Sequence, residues 1–241
     1  MFFISKFLDY TATSGGDSLP YIGTLKPRES QRNINGPVEI QFKDTGLSGR
    51  IYGFADAIKT AGEDVRVDSV SHTVAKDPYM ERSRVLFSFD GKASLQINFN
   101  LEDPLEVGSL LFFKEADILT TSSSLFLTYP FRVSSRPRVL PIRHVDGSTS
   151  ERVLDEEPRL TLSMSIVPAR DFYDERNYEE DSSNNLRKLF EIISPRRPFL
   201  YVDTNLDWSG YLLKSSPQRS FEHLISGYNQ QRVQTLALEV A

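Results

Sequence analysis

The chain contains no cysteine. That absence excludes a disulfide framework, a thiol nucleophile and every cysteine-based zinc or iron–sulfur site, and it fits assembly in a reducing compartment. Histidine is nearly as scarce. His72, His144 and His223 each stand in a strand-like segment, with no second histidine or carboxylate at metal-ligand spacing, so they read as ordinary strand residues. Long apolar runs are missing too: no stretch approaches the 18 residues that mark a membrane-spanning helix. The apolar start at 1–8 breaks at Ser5-Lys6, has no positive segment before it and runs straight into Asp9, which is not the pattern of a signal peptide. The expectation is a soluble protein that does not engage a membrane.

Catalytic signatures are absent in the same way. There is no Gly-x-Ser-x-Gly elbow, no Walker loop and no Gly-x-Gly-x-x-Gly. Thr13-Ser14-Gly15-Gly16-Asp17-Ser18 is glycine-rich, but it is expected to follow no strand and open no helix, so it is not read as a phosphate cradle. Glycoside hydrolysis needs only two carboxylates at a suitable separation. Glu102-Asp103 and the acidic run within 170–185 are the candidates, against the plainer reading of solvated charge. The acidic run lacks the order of an EF-hand calcium loop. No catalytic, cofactor or metal residue is therefore assigned. The net charge of −5, from 28 basic and 33 acidic residues, lacks the concentrated positive field that nucleic-acid binding requires.

What the chain has in excess is aromatic surface, with 16 phenylalanines and 10 tyrosines. Most such rings belong in a β-rich core, and some suit subunit interfaces, where aromatics are enriched. At 241 residues the chain forms one large domain or two small ones. Phe3, Ile4, Phe7 and Leu8 share a helical face too short to stand alone. The polar 11–37 segment, with turns at Gly15-Gly16 and Asn35-Gly36-Pro37, reads as a loop or as an arm reaching a neighbour. The expected division is an N-terminal arm at 1–37 and a β-rich core at 38–241, with a candidate internal boundary at the polar break 146–158.

Within the core, Val38, Ile40 and Phe42 alternate with polar residues as a half-buried strand does. Ile51, Phe54, Ala55 and Ile58 follow helical spacing, with Ser48 as N-cap and Gly62 as stop. Valines 65 and 67 then give way to Val70 and Val74 on the opposite parity, which predicts a bulge near Asp68-Ser69. Asp90-Gly91 predicts a hairpin over 84–100, with Phe87 opposite Leu95. Strands are expected at 110–113, 125–133, 139–145 and 160–166. A second helix, carrying Leu186, Leu189, Phe190 and Ile193, is stopped by Pro195. Final strands are read at 199–202, 211–213, 221–225 and 233–240. The fold class is α+β, mainly β: a sandwich or barrel of antiparallel strands with two short helices and long loops.

The segment Phe199-Leu200-Tyr201-Val202-Asp203, then Trp208-Ser209-Gly210-Tyr211-Leu212-Leu213, then the closing 233–240 strand, resembles the C-terminal region of tail-tip and baseplate structural proteins of tailed bacteriophages. Among these it is most similar to a distal tail, or hub-ring, component. The resemblance spans about 45 residues and rests on an order of strands and turns. It implies a non-enzymatic ring of identical subunits, commonly six, at the end of the tail tube, joining tube to tip or fibre proteins. It implies residence in the virion tail after assembly in the host cytoplasm. It brings no catalytic residue and no cofactor. The candidate assembly contacts are Phe3 and Phe7 in the arm, with Arg136, Arg138, Arg196 and Arg197 as basic groups facing an acidic loop of an adjacent copy. Trp208 reads as a core-rim residue or a contact anchor. A carbohydrate-binding module or a glycan depolymerase of a phage receptor-binding apparatus is the alternative.

Overall fold

The computed structural model describes residues 2–25, 31–32, 34–58, 64–76, 83–100, 106–120, 128–168, 192, 198–203, 209–215 and 231–240. They form mainly antiparallel β-sheet. A central four-stranded sheet contains β6 (Arg50–Ile58), β9 (Ala75–Lys76), β10 (Ser83–Asp90) and β13 (Ser109–Lys114), in the order β13-β6-β10-β9. A six-stranded sheet contains β2 (Tyr10–Ser14), β3 (Asp17–Ser18), β5 (Val38–Phe42), β7 (Asp64–Val67), β8 (Val70–Thr73) and β11 (Ser94–Asn98), in the order β3-β2-β5-β11-β7-β8. β4 (Gln31–Arg32) pairs with β12 (Glu106–Val107).

A seven-stranded sheet joins distant parts of the chain. Its members are β1 (Phe2–Ile4), β14 (Leu119–Thr120), β15 (Thr128–Arg143), β16 (Thr149–Pro168), β17 (Phe199–Asp203), β18 (Ser209–Ser215) and β19 (Gln231–Val240). Their order is β14-β1-β17-β18-β19-β16-β15.

The central sheet is buried on both faces. Successive strand residues point to opposite sides, and in β13 Leu110 and Phe112 enter one core while Leu111 and Phe113 enter another. The larger core joins the central sheet to Val38, Ile40, Phe42, Val65, Val67, Leu95 and Ile97 of the six-stranded sheet. The smaller joins Phe54, Leu111 and Phe113 to Ile4, Leu200 and Val202 of the seven-stranded sheet. Each fully buried large apolar side chain contributes about 1.5–3 kcal/mol relative to exposure. Five rings meet in the larger core: Phe112 lies 5.0 Å from both Tyr10 and Phe42, 6.2 Å from Phe87 and 6.1 Å from Phe89, all edge-on.

Two-sided burial explains the first correction. Residues 51–58, expected as a helix, are strand β6, in register with both β10 and β13. Ile51 and Ala55 serve one core and Phe54 the other. A strand apolar on both faces loses its alternation, and here the survivors happen to fall at i, i+3, i+4 and i+7. The second expected helix, 186–193, lies outside the described residues except for Ile192, which is helical. Ile192 apart, the helical content described is one 3-10 turn, Glu115–Asp117.

Two turns also differ from expectation. Asp68 and Ser69 form no bulge; both have positive φ, 44° and 74°, and close a two-residue hairpin between Val67 and Val70. That is the turn whose twist suits a tight hairpin. The expected 84–100 hairpin is not one: β10 belongs to the central sheet and β11 to the six-stranded sheet. The chain crosses between sheets there, held by Gly91 N–H donating to Gly49 O at 2.7 Å and Phe42 N–H to Ala93 O at 2.9 Å. Phe87 and Leu95 still share the larger core, but from different sheets.

The Gly15-Gly16 segment does follow a strand. It is the turn of the β2–β3 hairpin, with φ of 58° and 90°. Of the 1–37 segment expected as an arm, the described residues supply β1, β2, β3 and β4, and Ala12, Leu19, Ile22 and Ile34 lie in the larger core. Phe3 and Ile4, expected on a helical face, are in strand β1. The strands read at 38–42, 110–113, 160–166, 199–202, 211–213 and 233–240 are present within β5, β13, β16, β17, β18 and β19. That read at 221–225 lies outside the described residues.

Candidate functional site

β15 and β16 pair from Thr128↔Ser163 to Arg143↔Thr149, with register shifts between Thr128 and Arg132 and between Arg138 and Val139. β19 flanks β16 only from Arg159 onward, so residues 135–158 extend past it as a two-stranded ribbon. Every residue from 139 to 153 is exposed. A three-residue turn, Val145-Asp146-Gly147, closes the tip, with His144 N–H donating to Ser148 O at 2.9 Å and Gly147 at φ 83°. Asp146 Oδ1 accepts from Ser148 N–H at 2.9 Å and from Ser148 Oγ at 2.6 Å. These hydrogen bonds, the hydroxyl first, hold the Asp146 carboxyl below its ordinary pKa.

The ribbon presents Val139, Leu140, Ile142, Val145 and Val153 to water. Leu140 and Ile142 share one face, and Val139 stands opposite Val153 on the other. Grouped exposed aliphatics on so slender an element carry more information than a lone surface leucine. The polar stretch 146–158 forms the tip and one limb of this ribbon. It is polar and still strand because water bathes both faces along 146–153.

A second feature lies at the edge of the central sheet. An open cleft of about 730 Å³ is bordered by Arg50 and Tyr52 of β6, Arg84, Leu86, Phe87 and Ser88 of β10, and residues 72–75. Arg84 and Asp56 form a buried ion pair at 3.4 Å, each side chain 4% exposed. The Arg50 guanidinium lies over the Tyr52 ring, 5.9 Å from its centroid. Tyr52 also stacks on Phe113 at 5.7 Å and donates to Glu115 Oε1 at 3.4 Å. Partial burial, then the Glu115 carboxylate, raises the Tyr52 pKa. His72 sits 5.6 Å from Phe87, and its burial lowers its pKa.

Neither feature assembles a catalytic constellation from the described residues. His144 Nε2 lies 2.7 Å from Ser150 Oγ, but the pair is exposed on the ribbon, and nearby Asp146 is engaged by Ser148. Among the described residues no group of three or more His, Asp or Glu side chains could hold a metal ion, and no helix is long and apolar enough to cross a membrane.

Of the residues expected from sequence as assembly contacts, the four described, Phe3, Phe7, Arg136 and Arg138, fall in two places: β1 and the segment after it, and β15. Phe3 is fully buried, 6.2 Å from Phe199 and 5.1 Å from Tyr201 within the seven-stranded sheet. Phe7 is half-buried beside the smaller core. Arg136 and Arg138 stand on β15 directly opposite Glu157 and Asp155 of β16, the cross-strand arrangement that stabilises a sheet. Arg196, Arg197, Trp208, His223, Glu102-Asp103 and the acidic run 170–185 lie outside the described residues. The ribbon escapes sequence reasoning, despite its apolar residues and an Asp-Gly turn, because its polar residues read as a break between elements. The cleft escapes it because no local motif marks a sheet edge. Comparison with protein-family models, with curated proteins and with solved structures returned no match.

Proposed function

We propose that the chain is a non-enzymatic structural subunit of a phage tail tip or baseplate, forming a ring with copies of itself at the end of the tail tube and joining the tube to tip or fibre proteins. The observation that carries this reading is the β15–β16 ribbon, which exposes Leu140, Ile142 and Val145 and contributes none of them to the cores of the described residues. A two-stranded hairpin is marginal alone in water, and one that displays branched aliphatics is suited to docking against another surface. In this reading the β-rich fold is a sandwich, its six-stranded and central sheets facing each other, with the seven-stranded sheet carrying the ribbon.

Ring formation calls for a surface that meets a different surface on the next copy. The ribbon reaches past its own sheet and supplies one such surface. The cleft gives less support to glycan binding, since Tyr52, its half-buried ring, already stacks on Phe113 and lies under Arg50. Light scattering across a concentration range, with electron microscopy of tails, tests the proposal. A defined ring that is lost on Leu140→Asp/Ile142→Asp, in a subunit that keeps its thermal stability, is the expected result. A protein that stays monomeric and is absent from tails would overturn it, and turnover of a glycan panel would redirect it to a depolymerase.

A further inference from the structure

We infer that the outer edge of β10 beyond Arg84 is a docking site for an extended peptide segment bearing a carboxylate, taken up by strand addition. This goes beyond the ring reading and does not depend on it. β9 pairs with only Ser83 and Arg84. From Val85 to Asp90 the outer edge of β10 has no strand partner among the described residues. The five rises of about 3.3 Å from Val85 to Asp90 span about 17 Å of edge, enough for a peptide of five or six residues.

The shape of the cleft fits that edge. Leu86, Phe87 and Ser88 all line it, although alternate residues of a strand point to opposite faces. A pit on one face of the sheet would take alternate residues only, whereas a groove along the edge takes consecutive ones. The facing wall is 73–75, the stretch that leaves β8 and enters β9. Exposed edges are ordinarily blunted by lysine, proline or inward-pointing charge. Here the centre is Leu86-Phe87-Ser88, and charge stands only at the ends, in Arg84 and Asp90. Main-chain hydrogen bonds along such an edge supply affinity, and flanking side chains supply selectivity.

The selectivity comes from Arg50. Its register partner across the ladder is Asp90, yet the guanidinium lies over Tyr52 and forms no ion pair among the described residues. Arg84, by contrast, is held by Asp56, and Glu115 accepts from the Tyr52 hydroxyl. An incoming carboxylate at the Arg50 end would therefore meet a cation that pairs with no carboxylate among the described residues and rests on an aromatic face, a geometry suited to charge-assisted hydrogen bonding.

The test uses the full chain, ¹⁵N-labelled, and the peptide acetyl-Val-Glu-Val-Glu-Val-Glu-amide. Saturable amide shifts confined to 85–90 and 73–75 are expected. The same peptide N-methylated at alternate positions, in both phases, should lose at least tenfold in affinity in one phase, because N-methylation removes the donors of a β-ladder. A peptide with lysine in place of glutamate should bind at least fivefold more weakly, and Arg50→Glu should abolish or invert that preference while the rest of the spectrum is unchanged. No saturable shift up to millimolar peptide, shifts mapping elsewhere, or equal binding of both N-methylated forms would overturn strand addition. An unchanged charge preference in Arg50→Glu would overturn the carboxylate assignment.

Discussion

β13 and the outer half of β15 are both antiparallel strands, yet water reaches neither face of the first and both faces of the second. Ser109–Phe113 is buried at every position, and residues 139–143 are exposed at every position. The backbone ladder is common to both, so hydrogen bonding alone does not distinguish them; what differs is how much apolar surface leaves water. β13 is fixed by packing into two cores. The ribbon is fixed by continuity with the sheet, cross-strand pairs and the hydrogen bonds of its turn. Replacing side chains in the first region should therefore change global stability, and in the second should change what the protein associates with.

The largest effect is expected for Phe112→Ala, which removes the ring that meets Tyr10, Phe42, Phe87 and Phe89. Urea denaturation should show a loss of about 3–5 kcal/mol, and a loss under 1 kcal/mol would mean that the larger core is not the main source of stability. Gly53→Ala comes next. A Cβ there would overlap Cζ of Phe87, so the ring must shift, at a cost of about 1–3 kcal/mol.

Gly147→Ala moves the question to the ribbon tip. Nothing crowds that position, but φ is 83°, and the strain of about 1–2 kcal/mol for a residue with a Cβ should stay local. Hydrogen exchange should quicken around the turn while the melting temperature holds; a matching global loss would show that ribbon and body unfold together.

A smaller effect attaches to His72. Burial lowers its folded pKa, so the unfolded chain takes up the proton first as pH falls. Its contribution is full above the unfolded value of about 6.5 and is lost as pH falls from there through the lower folded value. His72→Gln should flatten the stability profile in that interval, and an unchanged profile would exclude His72 as its source. The smallest effect on folding is expected for Leu140→Ser/Ile142→Ser. Urea denaturation of the monomer should change by about 0.5 kcal/mol or less, as is usual at exposed sites.

What the sequence revealed follows the same divide. β5 was legible because one face is wet and one is dry, giving the buried–exposed alternation of Val38-Glu39-Ile40-Gln41-Phe42. β6 was not, because two cores claim both of its faces and Ile51-Tyr52-Gly53-Phe54-Ala55 carries no polar beat. The ribbon failed for the opposite reason. Ser150-Glu151-Arg152 and Asp155-Glu156-Glu157 lack an apolar face, so periodicity reports nothing even though the backbone is extended. Asp90-Gly91 shows a third limit. The local signal fixes a reversal of direction, while the sheet that receives the returning strand depends on distant partners.

β1 adds a constraint in time. Its neighbours are β14 and β17, and β17 begins about 195 residues further along the chain. At translation rates of about 5–20 residues per second, the strand carrying Phe3 waits on the order of 10–40 seconds after its own synthesis before β17 exists. During that interval an apolar strand with an unsatisfied ladder is available to any other nascent chain. The body's two-sheet core, whose strands are made earlier, can form meanwhile. The seven-stranded sheet is thus the last of the described sheets whose strands are all synthesised, and crowded synthesis on one message is the circumstance in which its assembly is most open to error.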